Sequence, residues 1–139
     1  MREARVDVAG RTVGAIGPGL LVFVCAEPAD TEAQATRFVD KLLKLRILAD
    51  ETGRMNRSLQ DTGGGLLIVS QFTLAADTSS GNRPGFSAAA EPVLGRRMFD
   101  AVLAAARARH GPVAQGEFGA DMQVSLVNDG PVTIPLRVN

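Results

Sequence analysis

Tryptophan and tyrosine are absent from the 139 residues, and phenylalanine occurs only six times. So few rings argue against an extended stacking platform for single-stranded nucleic acid. Cysteine and histidine occur once each, as Cys25 and His110. A lone thiol forms no internal disulfide, and Cys/His metal sites or hydrolases need several such groups. No metal site is therefore expected. Cys25 ends the apolar run Leu21-Val22-Phe23-Val24 and reads as a small core hydrophobe. His110 follows an Arg-rich helical stretch, where a cation complements a helix C-terminus. Net charge is missing too: fifteen Lys+Arg balance fifteen Asp+Glu. That balance argues against broad electrostatic capture of nucleic acid but leaves room for a small basic footprint on one face. No apolar run nears the ~20 residues of a membrane span, and no signal-peptide core opens the chain, so a cytoplasmic location is expected. The triple glycine Gly63-Gly64-Gly65 lacks the Lys-Ser/Thr ending of a phosphate-cradling loop.

What is present is ordinary globular composition, 45% hydrophobic and 22% charged, in a length that suits one domain, residues 1–139. Glu3 to Ala9 alternates, with Ala4, Val6 and Val8 on one side, and predicts a half-buried strand. Thr12 to Ile16 returns as its hairpin partner, and Leu20 to Ala26 reads as a buried central strand. Thr31 and Gln34 stand at capping-box spacing. Behind them Ala35, Phe38, Val39, Leu42 and Leu43 form the apolar face of a helix. Arg46 to Leu48 predicts a short strand, and Leu66 to Leu74 the most apolar one. A second helix starts near Pro92, with a stripe of Leu94, Met98, Val102 and Ala105 widened by Phe99 and Leu103. Strands over Val113–Phe118, Met122–Val127 and Val132–Val138 finish the chain. The expected order is β-β-β-α-β-β-α-β-β-β, a mixed α/β domain with both helices packed on a sheet.

Two stretches carry chemistry. Ser70-Gln71-Phe72-Thr73-Leu74 places polar residues at the exit of the most apolar strand, and pockets in sheet-centred folds lie at strand ends. The plainer alternative is that Ser70, Gln71 and Thr73 satisfy local backbone groups. Asn128-Asp129-Gly130-Pro131-Val132-Thr133 is turn chemistry. Its sharper reading is a cis Gly130-Pro131 bond, a form found in only about 5–6% of prolyl bonds. Such a bond presents adjacent carbonyl oxygens as a rigid acceptor pair.

Together the two motifs resemble the D-aminoacyl-tRNA deacylase (D-tyrosyl-tRNA deacylase) family of bacteria and eukaryotes. Further pieces fall in family order: Gly17-Pro18-Gly19-Leu20, Arg46-Ile47, Met55-Asn56, Arg83-Pro84, Phe86-Ser87, and Phe118 through Thr133. The resemblance spans nearly the whole chain, although family members carry a further short strand with a Gln-Arg pair ahead of Arg2-Glu3-Ala4-Arg5-Val6. That strand is expected to be missing here, as though a Val codon had been read as the start or the chain had been cut.

The resemblance implies a three-layer β/β/α homodimer without metal or organic cofactor. It would hydrolyse the ester of D-aminoacyl-tRNA, and of glycine mischarged on tRNA, and so proofread chirality in translation. Ser70, Gln71 and Thr73 would form the catalytic strand exit, with Phe72, Phe118 and Met122 at the substrate. Gly130 and Pro131 would cross into the partner subunit's pocket and select the stereocentre. The expected partners are the 3′ end of aminoacyl-tRNA and a second copy, not a membrane or DNA. The alternatives are the related paralogue that removes L-alanine from tRNA, and a non-catalytic dimer that binds tRNA ends or nucleotide. A Thr73 nucleophile needs an adjacent base, and none is evident in the sequence. Assistance by a ribose 2′-hydroxyl of the tRNA, with N–H groups near Phe72 and Thr73 on the oxyanion, is favoured. Lys41, Lys44, Arg46, Arg54 and Arg57 are candidate phosphate contacts or, equally, solvated surface.

Overall fold

The computed structural model describes residues 1–139. Its elements begin with β1 (Glu3–Val8), β2 (Arg11–Ile16), β3 (Gly19–Val24) and α1 (Glu32–Lys44). A small hairpin of β4 (Leu48–Ala49) and β5 (Met55–Arg57) leads to a one-turn helix, α2 (Leu59–Thr62). Then come β6 (Gly65–Ser70), a 3-10 turn over Phe72–Ala75, α3 (Pro92–Arg109), β7 (Val113–Gln115) and β8 (Gln123–Val127).

Alternation builds the first sheet. Ala4 and Val6 of β1 are buried while Glu3 and Arg5 face out, and β2 and β8 pair antiparallel with its two edges. The hairpin between β1 and β2 turns on Ala9 (φ 49°) and Gly10 (φ 77°), the left-handed pair that a tight hairpin favours. The second sheet is parallel, in the order β3-β6-β7. Parallel neighbours need crossovers, and the segments containing α1 and α3 supply them.

The run Leu66-Leu67-Ile68-Val69 is fully apolar because β6 is covered on both faces. Leu66 and Ile68 pack with Val39, Leu42 and Leu43 of α1 and with Met98, Phe99, Val102 and Leu103 of α3. Leu67 and Val69 pack against Ala4 and Val6 of the other sheet. Three layers follow: antiparallel sheet, parallel sheet, helices. Where β2 crosses β7, a Cβ on Gly14 would lie 2.3 Å from the Gln115 carbonyl oxygen, so only glycine lets the backbones approach so closely. α1 carries the expected box, the Thr31 amide donating to Gln34 Oε1 at 2.7 Å, and Pro92 opens α3.

Several local expectations are corrected. Val132–Val138 forms no strand: Pro131 and Pro135 lack the N–H groups a ladder requires, and the segment is held instead by Leu136 against the helix-side core and by an Arg137–Glu27 ion pair (2.7 Å). The strand expected over Leu66–Leu74 stops at Ser70 and gives way to the 3-10 turn. Those expected from Val113 and Met122 shorten to β7 and β8. A short helix joins the two expected ones, because Ser58 caps α2 reciprocally with Asp61 (3.1 and 2.9 Å) and Gly63 ends it at φ 67°. Met55–Arg57 pairs with Leu48–Ala49 around a turn that the Asp50 carboxylate ties to the Thr52 and Arg54 amides. Cys25 is half-buried rather than in either core, because the chain is already leaving the sheet there. Its Sγ donates to the Ala26 carbonyl at 3.3 Å, and burial holds the thiol above its ordinary pKa.

Candidate active site

All three parallel strands deliver their carboxyl ends to one side of the molecule, the usual place for a site in such a sheet. β3 and β6 are stitched at this end by the Gln71 amide donating to the Val24 carbonyl (2.8 Å). Beyond Gln71 the chain tightens into the Phe72–Ala75 turn, whose first amides, on Phe72 and Thr73, make no hydrogen bond within the protein. A short helix leaves its first donors unsatisfied by geometry, and an anionic oxygen is their natural acceptor.

Gln71 Nε2 donates to Thr73 Oγ1 at 2.5 Å. That bond fills a lone pair of the hydroxyl without offering to take its proton, since an amide N–H is a donor only. No carboxylate, imidazole or amine is paired with Thr73. Ser70 is half-buried below, and Thr73 and Phe72 are exposed. The Phe72 carbonyl oxygen lies 3.7 Å from Cys25 Sγ. A two-way backbone bridge between Asp77 and Gly85 (2.7 and 2.9 Å) folds the next loop back and sets Phe86 edge-on to Phe72, ring centres 5.0 Å apart. Asp77 is held below its ordinary pKa by the Ser79 hydroxyl and amide. Phe86 was not among the residues the motifs assigned. Its signal was the Phe86-Ser87 piece of the resemblance, which carried no role at the site.

Met122 reaches the same end of the sheet: a Cβ on Gly116 would meet both Met122 Sδ (2.9 Å) and Val69 Cγ1 (3.5 Å). Phe118 packs instead into the helix-side core against α3, 5.9 Å from Phe99, with the Arg96 guanidinium 5.8 Å over its ring, whereas Met122 packs into the core between the sheets. Gly130 and Pro131 lie elsewhere. The peptide between them is cis, and the turn is exposed, spanned by Asn128 Nδ2 donating to Thr133 Oγ1 (3.1 Å) and edged by an Arg2–Asp129 ion pair (3.4 Å). It follows β8 where Val127 pairs with Glu3, two residues from Met1, which bonds Gly19 at the amino end of β3. The Ser70–Thr73 cluster sits at the opposite, carboxyl end, about 16 Å away along a six-residue strand. One subunit does not bring the two motifs together.

Of the basic candidates, Lys44 pairs with Asp40 (3.1 Å) and Arg57 with Glu51 (2.8 Å). Arg46 donates to the Asn56 carbonyl and side chain (both 3.0 Å). Lys41 and Arg54 stay unpaired. His110 caps α3 and donates from Nε2 to the Gly64 carbonyl at 2.6 Å, a structural role. No three His, Cys, Asp or Glu side chains stand close enough together to hold a metal ion.

Residues 1–137 match the family model described as D-Tyr-tRNA(Tyr) deacylase. The chain belongs to that family. The D-aminoacyl-tRNA deacylase of Paracidovorax citrulli is 68% identical over 138 residues, 99% of this chain and 89% of that protein. That of Variovorax paradoxus is 68% identical over 136 residues, 98% and 93% of the two chains. Among solved structures, one named c-Myc DNA Unwinding Element Binding Protein superposes with a TM-score of 0.91 at 37% identity, covering 97% of this chain and 92% of that one. Membership in the deacylase family fixes the reaction class as hydrolysis of the ester that joins an amino acid to tRNA, and the mixed α/β layers are those expected of it. No helix is long and apolar enough to cross a membrane.

Proposed function

We propose that this chain is a D-aminoacyl-tRNA deacylase, hydrolysing the ester of D-amino acids and of glycine on tRNA while sparing L-aminoacyl-tRNA. The observation that carries the reading is the exit of β6: two free amides, on Phe72 and Thr73, beside a hydroxyl that has no base. Such a site stabilises charge on a carbonyl oxygen but does not itself generate a nucleophile. Water attacks the ester carbon, the oxyanion takes up the Phe72 and Thr73 amides, and the neighbouring ribose 2′-hydroxyl of the tRNA assists proton transfer toward the departing 3′-oxygen. Ser70 and Gln71 hold the turn and Thr73. Phe72, Phe118 and Met122 line the substrate side.

Chiral selection needs a penalty against L-substrates, because attraction to a shared ammonium and ester cannot tell the hands apart. In this reading Gly130 and Pro131 of one subunit enter the partner's pocket, where their carbonyls accept the ammonium and their bulk fills the space of an L side chain. The separation of the two motifs within one subunit supports an active homodimer. So do the exposed apolar side chains on the site and the C-terminal segment, Phe72 (58%), Leu74 (59%) and Ile134 (47%) among them, since monomers rarely leave large apolar patches open. The protein acts in the cytoplasm, where translation supplies its substrate.

The test is incubation with matched D- and L-aminoacyl-tRNA while free amino acid is followed, together with sedimentation. Release from the D-substrate by a particle of twice 14.6 kDa is expected. Release confined to L-alanyl-tRNA would favour the paralogue's activity, and binding without turnover a tRNA-end binder.

A further inference from the structure

The ester end is a small part of a large polyanion, and the placement of free cations decides where the remainder can lie. Most of the basic residues on the β4–β5 hairpin and at the end of α1 are already engaged by Asp40, Glu51 and Asn56. α1 and α3 together carry seven Lys and Arg against three Asp and Glu. In a chain of zero net charge, the helix layer is therefore the positive side.

An open groove of about 1240 Å³ crosses the outer face of α3 beside α1. Small residues such as Ala104 and Ala108 floor it, and Arg96, Arg97 and Arg109 stand on its rim. Arg97 is shared with Glu32 (3.4 Å), and Asp100 also faces the groove. Arg96 and Arg109 are exposed and form no ion pair. They are thirteen residues apart, about 20 Å along the helix, enough to track several phosphates of one strand. Phe118, which the proposed function sets on the substrate side, also lines the groove, so on that reading the groove leads to the site.

We infer that this groove carries the sugar–phosphate backbone of the tRNA acceptor arm upstream of its 3′ end, with Arg96 and Arg109 on phosphates. The inference rests on the proposed tRNA-ester hydrolysis. Alanine offers bases no hydrogen-bond donor or acceptor, so the groove reads the backbone rather than sequence. Two main cations give a shallow salt dependence, consistent with the neutral chain.

The test is the double variant Arg96→Gln/Arg109→Gln, with Arg11→Gln on the opposite sheet as control. Binding of deacylated tRNA is measured across a salt series. KM is compared for D-aminoacyl-tRNA and for a D-aminoacyl ester of adenosine alone. The double variant should weaken tRNA binding by about tenfold at low salt and lower the salt slope by about 1.5. Its KM should rise more for tRNA than for the adenosine ester, with kcat retained, and Arg11→Gln should match the parent protein. An unchanged slope, an equal rise for both substrates, or tighter binding of duplex DNA than of tRNA would overturn the inference. A parent protein that cleaves neither ester would instead sink the functional reading, while the salt series still judges the groove.

Discussion

Thr73→Ala separates the two mechanisms open to this site. The Thr73 hydroxyl has one partner, Gln71 Nε2 at 2.5 Å, and the pair is exposed to solvent. A net hydrogen bond of this kind contributes about 0.5–1.5 kcal/mol, and each ~1.4 kcal/mol is tenfold in rate. If Thr73 only steadies the turn, its loss should slow release of D-amino acid by roughly twofold to tenfold. A nucleophile would be a different matter, since losing one costs several powers of ten. The assay is single-turnover hydrolysis of D-aminoacyl-tRNA, with tRNA affinity and thermal unfolding measured on the same sample. A parallel substrate ending in 2′-deoxyadenosine, joined through its 3′-hydroxyl, should lose most activity with the parent enzyme. A thousand-fold loss in Thr73→Ala with affinity and melting intact, or full activity on the deoxy substrate, would refute the RNA-assisted route.

Asn128→Ala removes the side chain that spans the Gly130–Pro131 turn (Nδ2 to Thr133 Oγ1, 3.1 Å). D-turnover should fall several-fold and the D/L rate ratio should narrow, with little change in melting because the turn is exposed; parallel rates on both substrates check this. Leu67→Ala empties a fully buried position between the two sheets and should cost about 2–5 kcal/mol, read from urea unfolding and large against a total of about 5–15 kcal/mol. Asp61 is held below its ordinary pKa by the Ser58 amide and then by its hydroxyl. A depressed folded-state value means its contribution is complete above the unfolded value near pH 4 and is lost as pH falls through the lower folded one. Asp61→Asn should therefore flatten the acid limb of the stability curve, and equal steepening of both proteins between pH 5 and 3 would contradict it.

Elements whose pattern closes locally were legible in the chain. The alternation of Ala4, Val6 and Val8, the Thr31/Gln34 box and the apolar stripe behind it each gave an element where the structure has one, because a strand or helix face is defined within its own few residues. The misses share a cause. Val132–Val138 has a strand-like composition, but a strand exists only through a neighbour's hydrogen bonds, and Pro135 within it and Pro131 before it withhold donors. Met55–Arg57 is too short to show a period and pairs only because Asp50 shapes the turn before it. Ser58-Leu59-Gln60-Asp61 carried a readable cap that the adjoining glycines obscured.

At the site, the family and the two motifs proposed to bear the chemistry could be read from the chain alone, because residue types in order are what a motif consists of. The sequence also showed no evident base beside Thr73 along the chain, and the fold leaves the hydroxyl with Gln71 as its partner. The tertiary structure decided which amides are free. It ended β6 at Ser70, turned the chain into a tight helix, and so left the Phe72 and Thr73 N–H groups without acceptors. It placed Phe86 against Phe72 across a ten-residue loop and set Gly130–Pro131 at the far end of the sheet from Ser70. It also paired Lys44 and Arg57 with carboxylates while leaving Arg96 and Arg109, on the helix layer, without ion pairs. Each of these depends on distances between residues remote in the chain, and such distances come only from how the layers pack.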